Sequence, residues 1–307
     1  MRKNFARLLS LLLVFLLAVP AAFAEAAEEP AVEAEAVVYQ LPIDLTPGVK
    51  PDPNGYTDKW TYEDPTISVS IEEGVVRTNT GTNKCSYWVA TIKIADPSQL
   101  RTMAAADFNS NRVTKGTVLA KRANAVLAIN GDYFCYTGEG YIVRQGETYL
   151  DILKGDRDVL LVDEDGDFHI VIRPEAGSLD GTINGKKVIN SFFFGPVLVQ
   201  NGEAVKIIYN DEMVSDTGRQ RMAICQVGPL EYKAICCAGP ARGSSGLTLK
   251  QFAELCASQG VQTAYNLDGG DSTMMIINGE KINDIYNKSV REIADIIYFA
   301  SAWGADQ

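Results

Sequence analysis

Along the chain, apolar residues gather in short runs broken by turn residues, the pattern of strands more than of helices. Thr66 to Arg77 and Ser86 to Ala95 are rich in Val, Ile, Tyr and Trp, and turn residues follow each, so both are expected as strands. Between Asp158 and Arg173 two apolar runs flank Asp165-Gly166, a dipeptide that favours a tight hairpin turn. Arg221 to Ala238 reads as a second strand pair, turning near Gly228-Pro229. The helical period is clearest from Thr248 to Ser258. There Thr248 can cap the start, Leu249, Phe252, Ala253 and Cys256 mark one face, and Gly260 supplies the stop. Residues 98–124 are expected to hold one more helix and a loop. The pattern predicts an α+β fold of strand-dominated mixed sheets with a few helices, in a single large domain.

Two segments ahead of that domain differ in composition. Arg2, Lys3 and Arg7 introduce an apolar run from Leu8 to Val19, interrupted only by Ser10, and Ala22-Phe23-Ala24 follows. A basic start, a short apolar stretch and a small-residue site read as a signal peptide over residues 1–24. At about 1.5 Å per residue the run spans roughly 18 Å, short of the ~30 Å hydrocarbon layer. Residues 25–55 carry Glu25, Glu28, Glu29, Glu33 and Glu35, then Pro42, Pro47, Pro51 and Pro53, the composition of a flexible acidic, proline-rich linker. The domain is expected over residues 56–303, long enough for a substantial core. No later stretch is apolar and long enough to span a bilayer. The expectation is a secreted or cell-surface protein without stable membrane insertion after cleavage.

Charge narrows the partners. The chain has 28 Lys and Arg against 39 Asp and Glu, a net charge of −11. Losing residues 1–24 removes three basic and no acidic residues, giving −14. Such a surplus repels nucleic acid and anionic membranes, so neither is expected as a partner. An anionic small substrate stays open, because a local pocket can override the global field.

Six cysteines, Cys85, Cys135, Cys225, Cys236, Cys237 and Cys256, allow 15 disulfide pairings, and sequence does not choose among them. The other reading makes them small buried hydrophobes. His169 is the only histidine and sits beside no nucleophile motif, which leaves a Ser-His-Asp triad or a histidine-bound zinc without its parts.

Three stretches carry candidate chemistry. In Tyr265-Asn266-Leu267-Asp268-Gly269-Gly270-Asp271-Ser272-Thr273 an apolar strand rises to Asp268. Gly269 and Gly270 then let the backbone approach a ligand closely, and successive amides of such a loop can form an anion-binding nest with Asp268 at its edge to handle a proton. A hairpin turn would use the same residue types. In Ala125 to Phe134 another apolar strand ends in Asn130-Gly131-Asp132, with rings after it that suit a sugar; a structural turn with core aromatics reads equally. Arg219-Gln220-Arg221 heads the strand Met222 to Val227 and offers the planar fork that matches phosphate oxygens. Asn130, Asp132, Asp268 and Asp271 could offer oxygen to calcium or magnesium, but their spacing matches no recognised metal motif, and no cofactor is expected.

"AINGDYF", "FGPVLVQNG", "RMAICQVGP", "GLTLKQFAELCASQG", "AYNLDGGDSTMMIINGEKIN" and "REIADIIYF" occur in that order between residues 125 and 301. The series resembles the phosphodiester glycosidase family, whose members cleave sugar–phosphate diesters at the sugar carbon. One departure is Asp271, which stands where the family often has a third glycine before the serine. The resemblance implies an exported hydrolase acting on a carbohydrate phosphodiester, with glycans of the cell surface or exopolysaccharide as expected substrates. Within it Asp268 and Asp132 are the expected catalytic carboxyls. Asn130, Gly131, Arg221, Gly269, Gly270, Asp271, Ser272 and Thr273 are the expected substrate contacts. The competing expectation is a non-catalytic protein that binds cell-wall glycans with the same fold.

Overall fold

In the computed structural model the chain is described at residues 40–77, 84–108, 110–207, 216–240, 244–283 and 290–304. The expected signal peptide and the first part of the linker, up to residue 39, lie outside the described residues. The strands in chain order are β1 (Thr61–Asp64), β2 (Ile67–Arg77), β3 (Lys84–Ile94), β4 (Leu100–Ala104), β5 (Ala125–Asn130), β6 (Gly140–Arg144), β7 (Glu147–Ile152), β8 (Val159–Asp163), β9 (Phe168–Val171), β10 (Thr182–Ile183), β11 (Lys186–Phe192), β12 (Val197–Gln200), β13 (Glu203–Ala204), β14 (Arg221–Gly228), β15 (Glu231–Cys237), β16 (Thr263–Leu267), β17 (Met275–Ile277), β18 (Glu280–Lys281) and β19 (Asp295–Ala300). Three α-helices accompany them among the described residues: α1 (Gly116–Arg122), α2 (Phe134–Thr137) and α3 (Leu249–Ser258). The fold is strand-dominated α+β, as the apolar pattern implies.

An eight-stranded sheet ordered β1-β2-β3-β15-β14-β16-β12-β13 packs against a five-stranded sheet ordered β18-β17-β5-β19-β4. Alternation along the strands decides what each face meets. Leu127, Ile129, Met275, Ile277, Ile297 and Phe299 look toward the large sheet and share its core. Ala128, Ile276, Ile296 and Tyr298, one step out of phase, pack with Leu119 and Ala120 of α1. Tyr232 of the large sheet meets Phe299 of the small one at 5.5 Å between ring centres. Two smaller sheets, β10-β11-β8-β9 and β6-β7, complete the fold.

Local signals explain several elements. Thr248 caps α3 by accepting from the Gln251 amide, the Gln251 side chain closes the capping box, and Gly260 leaves at φ +73. The Asp165-Gly166 turn joins β8 to β9, with Val162 opposite Phe168. β14 and β15 pair from Arg221↔Cys237 to Gly228↔Glu231. Residues 98–124 contain the expected helix as α1, and also the strand β4.

The described half of the expected linker, residues 40–55, lies along the domain. Leu41 is buried and its amide donates to the Ser98 hydroxyl at 2.8 Å. The buried Arg101 guanidinium donates to the carbonyls of Pro42, Asp44 and Thr46 at 2.8, 3.0 and 3.0 Å, and Val49 bridges to Ser301. All six cysteines are free and buried. Cys236 and Cys237 are successive residues of β15, where side chains alternate between faces, and Cys237 lies against Cys85.

Candidate active site

A cleft of about 250 Å³ opens where β16 ends and β14 begins, and its walls include Tyr133, Phe194, Arg219, Arg221, Asn266, Asp268, Gly270 and Arg291. These residues come from five separate stretches of chain, brought together by sheet order: β14 lies beside β16, β5 pairs with β19, and Phe194 follows β11.

Asp268 closes β16 and is the one carboxylate among the described residues lining the cleft. It is 8% exposed. Burial pushes its carboxyl up to about 6, against the opposing pull of the Ser272 hydroxyl, the Arg291 charge and the Gly269 amide. Desolvation disfavours the ionised form, so this group exchanges a proton near neutral pH.

The loop after Asp268 is built inward. Gly269 approaches Gln220 so closely that a Cβ there would fall 2.7 Å from its carbonyl oxygen. Gly270 sits at φ +59, and its amide donates to that same carbonyl at 3.0 Å. The amides of Ser272 and Thr273 donate to Gly269 and Gly270 at 3.2 Å each, forming a short 3-10 turn over Gly270–Ser272. The expected amide nest is therefore not what faces the cleft, because backbone carbonyls already hold three of its donors. Positive charge comes from side chains instead.

Arg221 lines the cleft as expected, 6% exposed. Its Nε donates to the Leu247 carbonyl at 2.9 Å and its Nη2 to the Thr217 carbonyl at 3.1 Å, so its fork is held rigidly. Arg219, two residues earlier, is exposed and lies on the same wall. Arg291, exposed on the approach to β19, reaches Ser272 Oγ at 3.4 Å and faces Asp268.

Other expected site residues stand elsewhere. Asn130 is buried and clamps the Asp268 loop at both ends: its Nδ2 donates to the Asp268 carbonyl at 2.8 Å, and its Oδ1 accepts from the Met274 amide at 3.1 Å. It holds the carboxylate's backbone and is not among the residues lining the cleft. Asp132, expected as a second catalytic carboxyl, is fully enclosed one layer behind. Its carboxylate pairs with Arg144 at 2.9 Å and accepts from the Phe193 amide at 3.0 Å. Arg144 also pairs with Asp295 at 2.9 Å, and Asp295 Oδ1 accepts from the Asp132 amide at 2.9 Å. Burial pushes both carboxyls up, opposed by the guanidinium between them. Gly131 leaves room for this arrangement, since a Cβ there would run into the Asp295 carboxylate. Ser272 is buried beside Asp268, Asp271 is half-buried, and Thr273 is buried with its carbonyl accepting from Asn283 at 3.1 Å. Among the described residues no group of three His, Cys, Asp or Glu side chains is placed to hold a metal ion.

The structure adds residues that sequence reasoning passed over. Phe194 forms one wall, edge-on to Tyr133 at 6.3 Å, and is fixed because its amide donates to Tyr265 Oη at 3.0 Å. Asn266 is held by a bond from its Nδ2 to the Gly195 carbonyl at 2.7 Å. Arg291 opens the "REIADIIYF" stretch, and a lone arginine before a buried strand is the only local sign it gives.

Three comparisons with known proteins bear on this site. The phosphodiester glycosidase family profile matches residues 123–300, more than half of the chain. An uncharacterised SPbeta prophage-derived protein of Bacillus subtilis, YomE, is 27% identical over 184 residues, which are 58% of this chain and 28% of that one. The chain thus spans little more than a quarter of that curated relative. Among solved structures, the catalytic domain of zebrafish N-acetylglucosamine-1-phosphodiester alpha-N-acetylglucosaminidase, auto-inhibited by its pro-peptide, is similar in fold at a TM-score of 0.63 and 19% identity, covering 78% of this chain and 85% of that domain. A hypothetical protein from Synechocystis is similar at a TM-score of 0.50 and 15% identity, over 76% and 62% of the two chains. With its motifs in series and every residue that lines the cleft, its three arginines included, inside the matched span, the chain belongs to the phosphodiester glycosidase family.

Proposed function

We propose that the protein hydrolyses a sugar-1-phosphodiester at the anomeric carbon, with Asp268 as the reacting carboxylate. The observation that carries this reading is one buried carboxyl, poised near pH 6, in a cleft that three arginines and two aromatic rings line. Tyr133 and Phe194 suit the faces of a sugar ring, and Arg221 with Arg291 suits the two non-bridging phosphate oxygens. Ionised Asp268 takes a proton from water as that water attacks the anomeric carbon. The carbon–oxygen bond to phosphate breaks, its electron pair leaves with the phosphate monoester, and the charge on that group grows from about −1 toward −2. Guanidinium groups fixed beforehand stabilise this developing charge, often the largest catalytic contribution.

An ordinary glycosidase needs two carboxyls, one of them to protonate a poor leaving group. Phosphate leaves without that help, which agrees with a cleft holding one carboxylate while Asp132 serves in an internal ion pair. Asn130 and Gly131 belong to the frame behind the site. The composition of residues 1–24 supports an exported enzyme working on cell-surface or extracellular glycans, and finding the full chain inside the producing cell would refute that part.

The test is sugar release from a panel of glycosyl-1-phosphodiesters. Asp268→Asn should lower kcat by two to four orders of magnitude, on the scale of a lost general base, while the variant stays folded. Near-normal turnover would remove Asp268 from the mechanism. Tight binding by the wild type with no sugar released would assign the cleft to glycan binding instead.

A further inference from the structure

The cleft holds more positive charge than a phosphodiester can use. A diester presents two non-bridging oxygens that share one negative charge. Arg221, anchored by Leu247 and Thr217, and Arg291, leaning on Ser272 beside Asp268, supply one guanidinium for each. Arg219 is left over. It shares a wall with Arg221 because side chains alternate along extended chain, and the intervening Gln220 turns inward, 3% exposed. Its backbone is fixed by reciprocal bonds with Leu247 at 3.0 and 3.1 Å. Its guanidinium makes no ion pair or hydrogen bond with another described residue, unlike those of Arg101, Arg144 and Arg291. The setting is an acidic chain of net charge −11, where three arginines against one carboxylate in a single cleft form a local reversal of sign.

We propose that Arg219 forms an anion subsite for the leaving group, and that the substrate is a sugar-1-phosphodiester whose alcohol part carries a second phosphate or carboxylate. The inference rests on the hydrolase reading and deepens it. A substrate of this kind brings two separated charges. The phosphate beside the sugar is held by Arg221 and Arg291 next to Asp268, and the second anion lies at the cleft rim on Arg219. Because that rim is open to water, the subsite acts on capture and selection of substrate more than on bond cleavage, and salt screens it.

The experiment compares two substrates that share one sugar-1-phosphate and differ in the alcohol: glycerol, which is neutral, and glycerol phosphate, which is anionic. With the full chain at low ionic strength, kcat/KM should favour the anionic substrate by roughly tenfold, the worth of one charge-assisted contact, chiefly through KM. The ratio should shrink in 0.5 M salt on the order expected from screening. Arg219→Gln should bring it close to one, and Arg219→Lys should restore most of it. A glyceric acid version of the alcohol separates carboxylate from phosphate as the preferred group. Equal rates on the neutral and anionic substrates, or a preference that survives Arg219→Gln, would overturn the inference and leave the hydrolase reading in place. Release from none of the substrates would overturn both.

Discussion

Asp268 is a carboxyl that the fold holds at a cost, and that cost is measurable. Its ordinary value of 3.8 is raised to about 6 by burial. Each unit corresponds to about 1.36 kcal/mol of differential interaction between the two protonation states. Because the folded value lies above the unfolded one, the protonated form is the favoured guest. Its contribution is fully present below about pH 4 and is lost as pH rises through about 6. At pH 8 the ionised carboxylate therefore weakens folding by about 3 kcal/mol relative to a neutral group in the same place. Asp268→Asn removes the charge and keeps an oxygen that can accept from Ser272 and Gly269. The variant should be more stable than the wild type by about 3 kcal/mol at pH 8, and about equal to it at pH 4. For a domain of this size the difference raises the melting midpoint by roughly 6–12 °C. Thermal unfolding at pH 4, 6 and 8 reads it directly. A variant less stable than the wild type at pH 8, or a difference that ignores pH, would refute the reasoning. The same residue sets the acid limb of activity: kcat/KM should fall as pH drops below about 6.

Other substitutions probe the frame around it. Asn130→Ala leaves the Asp268 carbonyl and the Met274 amide without their partner, a loss of about 2–5 kcal/mol from two unsatisfied buried groups, visible as a lower denaturation midpoint together with reduced kcat. Arg144→Met strands two buried carboxylates and should destabilise by about 3–5 kcal/mol, whereas adding Asp132→Asn and Asp295→Asn should recover much of that loss in the same unfolding assay. Gly269→Ala pushes a methyl against the Gln220 carbonyl and should lower kcat with roughly 1–3 kcal/mol lost in stability; wild-type kinetics would show that the close approach is not required. Arg221→Ala should raise KM on a phosphodiester far more than on a phosphate-free aryl glycoside, and equal effects on both would remove the phosphate clamp.

Much of this was legible locally. The α3 helix announces itself within thirteen residues, because cap, apolar face and stop all lie in Thr248 to Gly260. The Asp165-Gly166 hairpin and the β14–β15 pair are likewise neighbours in sequence. The loop from Asp268 to Thr273 could be singled out because polar and glycine residues end an apolar run. What local pattern does not carry is the partner of a buried group. Asp132 at a strand end reads as a catalytic carboxyl until Arg144 and Asp295 are seen to enclose it, the latter 163 residues away in sequence. Asn130 reads as a sugar ligand until its two bonds to the Asp268–Met274 loop appear. Arg291 enters the cleft only because β19 pairs with β5, a consequence of sheet order that no short window of residues contains.

Arg101 has a consequence for where the folded unit starts. Removing residues 40–55 would leave the Ser98 carbonyl and Tyr298 hydroxyl beside this guanidinium but strip away the three carbonyls that take its remaining donors. A cation that loses most of its acceptors is one of the costlier defects a core can carry. Residues 40–55 therefore belong to the folded unit, and the proline-bearing strap before β1 is part of its body.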